Sequence, residues 1–226
     1  MENKKGANIM HWYLTKARDP ISSLTHLYGA IFSGIAIILL LTKTIFWSSP
    51  TLNNILAVTL FGISLLALYT ASTVYHFSRG TERRILVLRK LDHAMIYVLI
   101  AGTYTPILLS YLPAPRSYIF TAIMWICALG GISLKLLWFG APRWLQTALY
   151  LGMGWAIVFD LSALKAIPAG GIGLLLAGGI CYTVGGIIYM LKKPNFSQMF
   201  GFHELFHLFV LLGSVFHFLM IFIYVA

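Results

Sequence analysis

Acidic residues are scarce in this 226-residue chain: six Asp and Glu stand against sixteen Lys and Arg, and the four types together make up only 10%. So little charge cannot solvate the surface of a domain that is 59% hydrophobic, with a mean hydropathy of +0.85. A soluble monomer is excluded. Cysteine is equally sparse: Cys127 and Cys181 both fall inside apolar runs, which rules out a disulfide framework and a cysteine zinc site. No repeat, low-complexity tract or soluble linker interrupts the chain. A net charge of +10 would suggest nucleic acid in a soluble protein. Here the basic residues occupy short gaps between apolar runs, so no nucleic-acid partner is expected and the pattern is that of membrane topology.

A hydrocarbon core about 30 Å thick is crossed by roughly 20 apolar residues at 1.5 Å each. Runs of that length occur at 22–42, 54–76, 92–112, 117–138, 144–164, 170–191 and 203–225. The predicted fold is therefore an all-α integral membrane protein of seven transmembrane helices: a cytoplasmic segment at 1–20, then a single domain at 21–226. The first run begins only near Ile21 and lacks a clear small-residue cleavage site, so no signal peptide is expected.

Orientation follows from the basic residues. With the N-terminus inside, the cytoplasmic side carries Lys4, Lys5, Lys16, Arg18, Arg79, Arg83, Arg84, Arg89, Lys90, Lys135, Arg143, Lys192 and Lys193, and the outer side only Lys43, Arg116 and Lys165. Thirteen against three predicts N-in and C-out. The loop FSRGTERRILVLRK between the second and third spans is the most basic; its role is topology determination, with contact to anionic headgroups as the alternative. In the sixth span Gly173, Ala177, Cys181 and Gly185 recur at i+4, a stripe of small residues expected to pack against a neighbouring helix.

Ionisable residues inside a bilayer are expensive, and here four gather at one depth. His76 ends the second span, Asp92 opens the third, and His203 and His207 open the seventh, with Ser72 one turn from His76 on the same face. His203 and His207 are four residues apart, so both imidazoles leave one face of one helix. With His76 they make a three-histidine set that leaves a fourth tetrahedral position open, as catalytic zinc sites do. Any one of these histidines alone would read as an interfacial residue; the level grouping points to a metal. His93 lies about 100° around the helix from Asp92 and reads as interfacial. His26, near the start of the first span, reads as interfacial, with a place behind a ligand or at the substrate as the alternative, and His217, about 21 Å along its helix from His203, is too distant to share the metal. Asp160 is expected to pair with Lys165 and is given no chemistry.

HELFH also fits HExxH, the zinc-protease pattern, but no acid follows His207 to complete such a site. The segments SSLTHLYGA, ASTVYHFSRG, LRKLDHAMIYVLIAGTYTPILL and HELFHLFVLLGSVFHF instead resemble the hemolysin III family. This is the bacterial branch related to the progestin and adipoQ receptors and the alkaline ceramidases, and the resemblance covers nearly the whole chain. It implies a bacterial plasma-membrane protein of seven helices holding Zn2+ through His76, His203 and His207. Asp92 would orient or deprotonate the metal's water and Ser72 would lie near the reacting group, while Glu204 has no catalytic counterpart.

The function expected from this is hydrolysis of a lipid-like amide or ester that enters from the bilayer, in the service of membrane lipid homeostasis. The alternatives are a lipid sensor with a structural zinc and the cytolysin or channel implied by the family's name. A channel needs polar residues along its length, whereas the ionisable residues here cluster at one side.

Overall fold

The computed structural model describes residues 11–48, 51–197 and 199–226. Lys4, Lys5 and the first half of the 1–20 segment lie outside them. Residues 11–16 form a short helical stretch. Helix α1, Pro20–Trp47, follows, then α2, Leu52–Phe77, α3, Glu82–Tyr111, and α4, Arg116–Leu137. After α5, Arg143–Gly154, a 3₁₀ turn at Ala156–Phe159 leads into α6, Leu161–Ala166. The chain closes with α7, Ala169–Leu191, and α8, Phe202–Tyr224.

Six of these helices, α1–α4, α7 and α8, are long and apolar enough to cross a membrane. Among the described residues forty apolar side chains larger than alanine, from Trp12 to Ile223, stay exposed on the outside of the bundle, as lipid contact requires and water would not permit. The protein is a multi-pass membrane protein.

Helices α2 and α3 occupy the centre, with α1 and α4 against them and α7 against α8. α1 buries Ser22, Ser23, His26, Gly29, Ser33, Ala36, Leu40 and Thr44, a stripe of small or polar residues at three- and four-residue steps that lets α2 come close. Tyr69 of α2 lies over Gly29, where a Cβ would come within 2.6 Å of its ring. Thr51 and Thr81 start α2 and α3 by accepting hydrogen bonds from the backbone N–H groups of Asn54 and Arg84.

The third span corrects the sequence reading. It was expected to begin at Asp92, but α3 starts at Glu82, so Arg83, Arg84, Arg89 and Lys90 are helical and the connecting loop shrinks to Ser78–Thr81. The Thr81 cap, with Glu82 in the first turn, explains the early start. The fifth span is not one helix: residues 144–164 divide among α5, the 3₁₀ turn and α6. The Tyr104 hydroxyl holds the break together, donating to the Gly154 carbonyl and accepting from the Ile157 N–H, both at 2.9 Å. Asp160 then caps α6, accepting from Ala163 N–H at 3.0 Å and from the Ser162 hydroxyl at 2.7 Å. Its ion-pair partner is Arg116, at 2.9 Å, and not Lys165.

The sixth-span stripe is rotated from the expected one. Gly171, Gly178, Cys181 and Gly185 are buried, whereas Gly173 is exposed with open space around it.

Opposite ends of the bundle differ in character. At one end the start of α1, the end of α2 and the start of α8 meet; at the other, Lys43 at the end of α1 donates to the carbonyl of Phe222, and Tyr111 at the end of α3 donates to that of Tyr224 at 2.7 Å. The first end holds the polar cluster.

Candidate metal centre

The site begins with the short segment ahead of α1, which is stitched to the end of α2. Arg18 and Asp19 donate their backbone N–H groups to the carbonyls of Phe77, at 3.3 Å, and His76, at 2.9 Å. The Arg79 guanidinium donates to the carbonyls of Thr15 and Ala17. These bonds carry the Asp19 carboxylate to the His76 ring, whose Nδ1 donates to Asp19 Oδ2 at 2.9 Å. Arg18 binds the same oxygen at 2.8 Å and lies over the Tyr75 ring. Partial burial works to raise the Asp19 carboxyl, but the hydrogen bonds from His76 and Arg18 prevail and hold it at about 2. The group is therefore an anion, and with its proton on Nδ1 His76 keeps Nε2 bare.

His207, buried on α8, has its Nδ1 3.2 Å from the carbonyl oxygen of Ser22 in the first turn of α1, so it too donates outward and leaves Nε2 free. His203, one turn earlier, places Nε2 3.2 Å from Nε2 of His76. One nitrogen from each of the three histidines lies within 4.8 Å of those from the other two. Outward-donating Nδ1 groups on His76 and His207, which fix those two rings, and nitrogens from all three histidines converging on one point are what metal-binding histidines show. His76, His203 and His207 thus form a triad close enough to bind a metal ion.

Glu204 sits between the two α8 histidines and is used structurally. Its carboxylate accepts from the Ser22 hydroxyl at 2.7 Å and from the Gly201 N–H at 2.9 Å, capping α8 and tying it to α1.

A largely apolar cavity of about 140 Å³ extends from His203 and His207 into the bundle. Ser72, Asp92, His203 and His207 line its polar end, and Leu99, Trp155 and His217 its far end. The structure so gathers all five residues singled out in the sequence in one region. The Ser72 hydroxyl is buried beside the Asp92 carboxylate, and Asp92 lies 3.2 Å from His93 Nδ1.

His93 is not interfacial as expected. It is buried on the cavity wall, with Nδ1 also 2.9 Å from the Arg89 carbonyl and Nε2 3.3 Å from the Tyr189 hydroxyl. The early start of α3 places it well inside a helix, facing α7. His26 stacks on His207, ring centroids 3.6 Å apart and nearly parallel, and so fixes that ring through its face. His217 lies apart from the triad, as expected.

Asp19 was missed by sequence reasoning. Its signal is slight: an acid just before Pro20 in a chain with only six acids.

With this geometry in view, the similarities to known proteins are extensive. The Haemolysin-III related family matches residues 14–218. Hemolysin-3 of Bacillus cereus is 38% identical over 207 residues, 90% of either chain. The Hemolysin-3 homolog of Bacillus subtilis (strain 168) is 39% identical over 194 residues, 85% of this chain and 87% of the relative. The human monocyte to macrophage differentiation factor is 25% identical over 163 residues, 70% of this chain and 66% of that protein. The chain belongs to the haemolysin-III-related family of multi-pass membrane proteins.

Proposed function

We propose that the chain is a zinc-dependent hydrolase acting on an amide or ester of a lipid-like molecule. The observation that carries this reading is the joint placement of three histidines whose nitrogens converge within 4.8 Å, an acid and a buried hydroxyl at the polar end of an apolar cavity. His76, His203 and His207 would hold the ion, and neutral imidazoles suit zinc. A bound zinc supplies polarisation of a carbonyl and acidification of water.

The remaining work falls to this chain's own residues. Asp92 accepts a proton from water at its carboxylate. Ser72, whose buried hydroxyl lines the same cavity beside Asp92, donates a hydrogen bond to the substrate's polar group. Leu68, Ile96, Leu99, Ile100, Phe206 and Val210 exclude water and receive an alkyl chain arriving from the bilayer. Asp19 and the Ser22 carbonyl keep the histidine rings oriented.

The test is Asp92→Asn in the full chain, assayed for zinc content and for product release from lipid amides and esters. Zinc retained with hydrolysis lost supports the reading. If the variant keeps the wild-type cellular phenotype while His76→Ala abolishes it, the metal is structural and the protein a sensor. Loss of zinc would make Asp92 itself a ligand.

A further inference from the structure

Four cations at the polar end of the bundle have no place in the proposed chemistry. Arg89 and Lys90 of α3 and Lys135 of α4 surround one ring, Phe139 in the α4–α5 connection, with charge-to-centroid distances of 5.2, 5.7 and 4.6 Å. Arg143, at the start of α5, lies 4.6 Å from the Tyr189 ring centroid and donates to the Tyr189 carbonyl at 3.2 Å. A single aromatic face attracts one cation; three around one ring repel each other.

Their surroundings offset little of this: Asp92 acts on Lys135 only at longer range, with no direct ion pair. Lys135 is only 5% exposed, and its ammonium reaches the Gln146 side-chain oxygen, a neutral acceptor. Lys90 donates to the Leu136 carbonyl, also neutral. Among the described residues no acid lies within 4.0 Å of any of the four; the ion pairs present are Arg18–Asp19, His76–Asp19, His93–Asp92 and Arg116–Asp160. A buried ammonium without a directly paired counter-charge is costly, and an anion between these side chains reduces that cost.

Exposure separates this group from ordinary topology-setting charge. Arg83, Arg84, Lys192 and Lys193 are exposed, whereas Arg89, Lys90, Lys135 and Arg143 are folded against the protein. We propose that Arg89, Lys90, Lys135 and Arg143, gathered about Phe139, form a binding site for a phosphate group. Guanidinium and ammonium groups at the end of a membrane bundle are the standard receptors for that chemistry, whether the phosphate belongs to an anionic phospholipid or is free. The site adjoins the cavity, since Arg89 gives its carbonyl to His93 and Arg143 covers Tyr189, both cavity-lining residues. It does not depend on the metal triad.

The experiment uses the purified full-length protein in phosphatidylcholine nanodiscs. Retention of added dioleoylphosphatidylglycerol is measured by native mass spectrometry, and the thermal midpoint is followed alongside. The wild type is expected to hold the lipid, and Lys135→Met/Arg143→Gln to bind it about tenfold more weakly, the loss of about 1.4 kcal/mol. Arg83→Gln/Arg84→Gln, at exposed positions of the same helix, should bind as the wild type does. Should the first pair fail to fold, Arg89→Gln carries the same comparison.

Inorganic phosphate, titrated separately, tells the sources apart. Lipid retention that free phosphate does not displace assigns the site to a phospholipid; stabilisation by phosphate alone, lost in the same variants, assigns it to the free ion. Either result upholds the site. Equal weakening in both pairs would show diffuse attraction by the basic face and overturn it, as would binding of neither probe to the wild type.

Discussion

Replacing Asp19 by asparagine keeps the side chain's shape while removing the charge that holds His76. In the native protein the carboxylate accepts the His76 Nδ1 proton at 2.9 Å and is itself held by Arg18 at 2.8 Å. Loss of such an acceptor behind a metal-binding histidine typically weakens metal binding about 10- to 100-fold. The Asp19 side chain is 39% exposed, so solvent screens part of its charge and the lower end applies. Asp19→Asn should therefore weaken zinc binding about tenfold, about 1.4 kcal/mol, and Asp19→Ala should weaken it more because no acceptor remains. Competition with a chromogenic chelator on purified protein measures the constants, with Asp160→Asn, at the opposite end of the bundle, as the control. Unchanged affinity in Asp19→Ala would refute the claim that this residue orients a metal ligand.

The purified protein should carry about one zinc per chain. A double variant His203→Ala, His207→Ala should lose it, while His217→Ala keeps it; metal analysis of the three proteins decides. A reporter fused after Ala226 should label outside the cell and one inserted at Ser78–Thr81 inside, because Lys and Arg concentrate at the end of the bundle that holds the triad. The opposite labelling would place the triad at the outer leaflet. Gly102→Ala should destabilise the protein by about 1–3 kcal/mol, since the new Cβ would lie 2.3 Å from Ser64 Oγ and 2.7 Å from Ser64 Cβ, which has no freedom to withdraw. Gly130→Ala, with nothing within 4 Å, should cost nothing in a thermal unfolding assay.

The triad was legible in the sequence because i,i+4 spacing fixes two histidines on one face, and helix ends at equal depth bring a third beside them. Asp19 was not, because its pairing with His76 depends on backbone hydrogen bonds between the segment before α1 and the end of α2, and residue spacing carries no trace of them. The break in the fifth span escaped for a different reason. Residues 144–164 are continuously apolar enough for one helix, and the interruption depends on Tyr104 from α3 accepting and donating at the break. His93 was misplaced because α3 was started ten residues too late; once Thr81 is recognised as its cap, an internal position follows.

The Tyr104 contact has a wider consequence. In hydrocarbon, no water is at hand to replace a lost backbone hydrogen bond, so an interrupted span stays in place only while something else satisfies its freed groups. Here one phenol serves the carbonyl of Gly154 and the N–H of Ile157, while the neighbouring Trp155 indole donates to Thr183 of α7 at 3.0 Å. Gly154 and Trp155 are also part of the cavity wall. That stretch of wall, where α5 gives way to the 3₁₀ turn, is therefore held by side chains of α3 and α7, where a continuous span would be held by its own backbone.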